Sequence, residues 1–126
     1  MSTQTNLKQA AIDFLQLTAA GKIDQAFERH AGPAFRHHNP HFAGGAAAIK
    51  AGMQDNAGRF PDMAFEVHRA IADDALVAVH SRARLAPGMP DMALAHILRF
   101  EDGKIVEMWD IGQAAPEAMV NGDGMF

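Results

Sequence analysis

Chemistry in this 126-residue sequence is concentrated in its histidines and one aspartate. Asp110 follows the only tryptophan, Trp109, in a stretch that also holds Met108 and Ile111. Strand propensity does not place an aspartate there, and an apolar surround raises a carboxyl pKa towards values useful to a general base. Asp110 is therefore the first candidate for a proton acceptor, against the plain alternative of a strand-end carboxylate in solvent or paired with an arginine. His96 lies in the apolar run before it. Three of the seven histidines, His37, His38 and His41, fall in one stretch, FRHHNPHFAGG, at residues 35–45. Neighbours on an extended segment point opposite ways, so one of His37 and His38 faces inward and the other outward. Asn39 precedes Pro40, which biases it to extended backbone, and its amide can orient a neighbour or donate to an oxyanion. His80, in LVAVHSRARL, shares a phase with Leu76, Ala78, Arg82 and Arg84; which face that phase presents is left open.

Whether His96 meets Asp110 depends on the turn EDGK. A two-residue turn at Asp102 and Gly103 sets Phe100 opposite Ile105 and turns His96 away from Asp110. A three-residue loop with Gly103 left-handed sets Phe100 opposite Lys104 and brings Asp110 diagonally beside His96. The sequence permits both. A metal centre would need three converging ligands, and His38, His80, His96 and Asp110 have the right types. No H-E-x-x-H or H-x-H spacing is present, so no metal is expected.

The elements that must position these groups follow from periodicity. Residues 7–17 carry Leu7, Ala10, Ala11, Phe14, Leu15 and Leu17 at helical spacing, with Asn6 as cap and Gly21 as stop. A short helix fits residues 23–30, ended by Ala-Gly-Pro, then an extended piece at 35–39. GGAAAIKAGMQDNAGRF reads as a third helix, closed by Pro61. The period then changes to two: strands are expected from Met63, from Leu76, in DMALAHILRF and in KIVEMWDIG. Helices first and antiparallel strands later mean α+β, in a single domain over residues 1–126. The tail, APEAMVNGDGMF, either folds back over a pocket or partner or frays.

Composition narrows the partners. At 48% apolar and 21% charged residues the chain is globular rather than disordered, and a formal charge of −4 with scattered arginines argues against nucleic acid. The polar N-terminal stretch reads as neither signal peptide nor membrane span, which makes the cytoplasm the expected location. With no cysteine, thiolate nucleophiles and cysteine-bound metals are excluded.

FRHHNP before an Ala/Gly-rich helix, then VAVHSR, HILRFEDGKIVEMWDIGQ and NGDGMF, resembles the SnoaL-like polyketide cyclase family of the nuclear-transport-factor-2-like superfamily. The resemblance implies a cone-shaped α+β fold, three N-terminal helices on a curved antiparallel sheet enclosing a pocket, often as a homodimer. It implies cofactor-free acid/base chemistry, an aldol-type cyclisation or isomerisation of a small apolar carbonyl compound. By motif, Asp110 matches the family's acid/base aspartate, His96 the strand histidine beside it, and His38 with Asn39 the HNP motif. His38 is thus the third catalytic candidate; Asn39, His80, Phe35, Met108 and Trp109 are the candidate substrate contacts. Phe35 stands where relatives often carry tyrosine and Met108 where they carry histidine, so a less polar pocket is expected. Absence of tyrosine removes a ketosteroid-isomerase-like oxyanion hole. The competing reading is a non-catalytic small-ligand-binding module of the same fold.

Overall fold

The computed structural model describes residues 3–126. Helix α1 (Thr3–Ala19) buries Leu7, Ala11, Phe14 and Leu15, spaced as one helical face requires. It begins before Asn6, which lies within the helix rather than capping it. Gly21, at φ +81, ends it as expected, because a left-handed residue lets the Lys22 N–H turn back to the Leu17 carbonyl at 2.9 Å. Helix α2 (Ile23–His30) buries Ile23, Ala26, Phe27 and His30, and strand β1 (Ala31–His37) follows without a loop. Helix α3 (Ala46–Arg59) starts after Gly45, another left-handed glycine, and its buried contact is Ile49. Strands β2 (Ala64–Asp73), β3 (Leu76–Arg84), β4 (Met92–Glu101) and β5 (Lys104–Ala114) complete the α+β order.

The five strands form one sheet in the order β1-β5-β4-β3-β2. Neighbours from β2 to β5 are antiparallel; β1, read from sequence only as an extended piece, joins β5 in parallel and makes the sheet mixed. Its end is fastened by the His38 N–H donating to the Met108 carbonyl at 3.0 Å. The register shifts once in each of the β1–β5, β2–β3 and β4–β5 pairings, and such bulges bend a strand and sharpen its twist.

The three helices cover one face of this sheet, and the core lies between them. Phe14, Phe27 and Phe35 meet there, with ring centroids 5.3 Å (Phe14–Phe27) and 5.2 Å (Phe27–Phe35) apart at near-perpendicular tilts. Val77, Val79, Leu98, Phe100, Ile105 and Met108 supply the sheet side.

The β4–β5 hairpin resolves the two turn alternatives in a third way. Asp102 and Gly103 are both left-handed, at φ 51 and 76, and Glu101 faces Lys104 and Phe100 faces Ile105, which is the two-residue turn. One extra residue, Val106, then sits in β5 between Ile105 and Glu107. The bulge lies in the strand and not in the turn. It advances the register by one, so that Arg99 pairs with Glu107 and His96 lies directly opposite Asp110. Ile105 precedes the bulge and is fully buried on the inner face.

The outer face carries Ile97 opposite Trp109 and His80 opposite Ala95, with Ile71 and Leu76 exposed. The tail folds back over it: the Phe126 ring lies 5.2 Å from His68 and 6.1 Å from His80, beneath the Arg82 guanidinium. Among the described residues no helix is long and apolar enough to cross a membrane.

Candidate functional site

His96 and Asp110 face the helices from the centres of β4 and β5, where each belongs by alternation: Leu94, His96 and Leu98 on one strand, Met108, Asp110 and Gly112 on the other. They line a cleft of about 470 Å³ together with Met92, Leu94, Gly112 and the loop residues Asn39, Pro40 and His41. Asp110 Oδ2 accepts a 2.8 Å hydrogen bond from Asn39 Nδ2. Its Oδ1, and His96 Nδ1 on the facing residue, are sealed from solvent and have no partner in the protein. Leaving such atoms unpaired costs about 1–3 kcal/mol each, so each calls for an explanation, and a catalytic role is one.

Asn39 is held by its own loop. Its Oδ1 accepts from the His41 N–H at 2.9 Å, which fixes the amide so that its nitrogen must face Asp110. Its backbone N–H donates to His37 Nδ1 at 3.1 Å, and His37 Nε2 donates to the Ala43 carbonyl at 2.8 Å. A backbone donor on one ring nitrogen and a carbonyl on the other define the neutral Nε2–H tautomer. The buried His37 is therefore the brace behind Asn39, a role the HNP pattern did not reveal.

Burial lowers the pKa of His96 below the ordinary histidine value, and the charge of Asp110 opposes that only in part. A neutral imidazole at pH 7 follows. Ser81, fully buried with its hydroxyl unpartnered, lies on the same inner face of β3, one pair along from the Val79–His96 pairing. It was missed from sequence, although its phase with Val77 and Val79 marks it as the one hydroxyl in an apolar face.

Five candidates from the sequence lie elsewhere. His38 points to the outer side: it stacks on Trp109 at 4.9 Å and donates to Glu107 Oε2 at 2.6 Å. His38 and Trp109 thus leave the cleft together, because both sit one residue out of phase with the inward-facing groups. Glu107 also accepts from Arg99 Nε at 3.0 Å and pairs with Arg36 at 3.2 Å. His38 first, then Arg99 and Arg36, hold its carboxyl down at about 2. His80 is on the outer face, bonded to Arg69 and near the rings of His68 and Phe126. Phe35 packs in the core against Phe14 and Phe27, and Met108, 1% exposed, packs opposite Leu98; both are covered by their neighbours and neither lines the cleft. The four groups weighed as metal ligands are split between the two faces, and among the described residues no three His, Asp or Glu side chains converge.

The cleft can therefore present a carboxylate with one oxygen held and the other unspent, a neutral imidazole facing it, and an apolar floor. Solved structures share the architecture. IdmH from Streptomyces antibioticus, provisionally named a polyketide cyclase, is 21% identical with a TM-score of 0.69 over 84% of this chain and 91% of its own. AclR from Streptomyces galilaeus, provisionally named a hydroxylase, is 21% identical with a TM-score of 0.73 over 88% and 91%. A SnoaL-like protein of unknown function from Burkholderia thailandensis is 21% identical with a TM-score of 0.71 over 92% and 100%. No curated protein matches the chain significantly. The family described as the SnoaL-like domain matches residues 11–108, most of the sequence, and so the chain belongs to the SnoaL-like family.

Proposed function

We propose that the protein is an acid/base enzyme acting on a small carbonyl compound with an acidified C–H, closing a ring by aldol addition or isomerising the substrate. One observation carries this reading: directly opposed in the same cross-strand pair, Asp110 and His96 each keep a buried polar atom unspent at the edge of a cleft. Asp110 Oδ1 takes the proton from the carbon next to the carbonyl, while Asn39 holds Oδ2. Neutral His96 donates a hydrogen bond to the developing enolate oxygen, as a neutral imidazole does best when its pKa is depressed. After the enolate carbon attacks the second carbonyl, the proton on Asp110 returns to the new alkoxide, and neither residue is changed. An activated C–H, as in a 1,3-dicarbonyl, places the barrier within reach of a positioned base, which contributes about 10²- to 10⁴-fold, so the reading asks for no cofactor.

The neighbours named for different activities share one fold, so the fold does not choose the reaction, and the support lies in the residues. The test is deuterium uptake at C3 of simple 2,4-diones in D₂O, followed by proton NMR. Asp110→Asn is expected to slow the enzyme-dependent exchange about 10²- to 10⁴-fold. Equal exchange in wild type and variant would remove Asp110 from the chemistry; saturable binding without exchange would leave a ligand-binding module. The same reading includes a cytoplasmic homodimer joined through the outer face, where Ile71 is 65% and Leu76 43% exposed, and sedimentation equilibrium measures the assembly.

A further inference from the structure

Two cavities meet at the same pair of side chains. The cleft at Asp110 is one; the other, about 140 Å³, lies between α1, α3 and the sheet and is lined by Leu15, Met53, Met63 and Phe65, with Thr18 and Asn56 adding polarity. Leu94 and His96 line both. The Thr18 hydroxyl is already committed to the Leu15 carbonyl at 2.9 Å, which leaves the chamber mainly apolar. Leu94 leans over β5 because the residue it faces there is Gly112: a Cβ on Gly112 would lie 3.1 Å from Leu94 Cδ2. The two spaces are thus separated by the flexible Leu94 side chain and the His96 imidazole beside it.

Size limits what the helix-side chamber can hold. An apolar cavity of about 150 Å³ takes one benzene ring, and a methylene fills roughly the ~30 Å³ share of a water, so about five carbons fit.

We propose that the substrate is a 1,3-dicarbonyl compound with one unbranched apolar arm, its head in the cleft at Asp110 and its arm passing Leu94 into the helix-side chamber. The identity of the head rests on the acid/base reading above, whereas binding of the arm needs no turnover. Leu94 is then the residue that sets arm length, and His96 touches both halves of the ligand.

Calorimetric titration with 2,4-diones of increasing alkyl length tests this on wild type, Asp110→Asn, Leu94→Ala and Met53→Phe, with Met63→Phe as a second way to fill the chamber. Affinity should rise about fourfold per methylene for about five carbons and then level off. Either phenylalanine variant should level off earlier and Leu94→Ala later, while Asp110→Asn keeps the same profile. Affinity independent of arm length, or a rise that neither phenylalanine variant shortens, would overturn the proposal. A length profile without deuterium exchange defeats only the acid/base reading; exchange without a length profile defeats only the two-chamber ligand.

Discussion

His96 is the residue whose behaviour the structure constrains most sharply. Its ring is desolvated by the core beneath it, which disfavours the imidazolium, and the facing Asp110 carboxylate recovers only part of that loss. In a ¹⁵N-edited titration its midpoint should lie below the ordinary histidine value near 6.5. Asp110→Asn removes the favourable charge and should lower it further. A midpoint that rises in the variant would contradict this account. Asp110 shows what a one-dimensional reading can do: a carboxylate among Met108, Trp109 and Ile111 stood out because propensity gave no reason for it. His37 shows the limit, since two adjacent histidines are interchangeable in sequence and only the end of β1, pinned to Met108, decides which turns inward.

At the level of elements, the loop 38–45 is the part on which Asn39 depends. Phe42 rests on Gly52 of α3, where an added Cβ would come within 2.3 Å of the ring. Gly52→Ala should therefore displace Phe42, which is 41% exposed and free to move outward, and loosen the loop that aims Asn39 at Asp110. Alanine is also the better helix former by roughly 1 kcal/mol. The expected result is an unchanged or slightly raised melting temperature with a reduced exchange rate; a fall in both would mean that Phe42 supports the fold rather than the site. The hairpin teaches a related lesson. Turn chemistry permitted the two-residue turn that forms without choosing it, and the residue that aligns His96 with Asp110 is Val106, a bulge inside the strand for which EDGK holds no signal.

For the whole molecule, acid should weaken the fold in two separate windows. His96, with its folded pKa depressed, contributes stability above about pH 6.5 that is lost as pH falls through the folded value, because the unfolded chain binds the proton first. Glu107, held at about 2 against an ordinary 4.5 by His38, Arg99 and Arg36, contributes stability above pH 4.5 that is lost as pH falls towards 2. Urea unfolding across pH should show both declines. His96→Gln should remove the first and Glu107→Gln the second, and a single decline common to all three proteins would refute the assignment. The Glu107 cluster also ties the parallel strand β1 to β5 and β4, so the same variant should lower the melting temperature at neutral pH.

By itself the sequence determined the α+β order, the three helices, the four later strands and the candidacy of His96, Asp110 and Asn39. Those features are local: they depend on periodicity, turn residues and the misfit of a polar group in an apolar run. Tertiary structure alone decided that β1 pairs in parallel with β5, that a strand bulge sets His96 opposite Asp110, and that His38, His80 and Trp109 face outward. The reason is geometric. Side chains alternate with a period of two, so one extra residue exchanges the faces of a strand, and no local pattern fixes where that residue is absorbed.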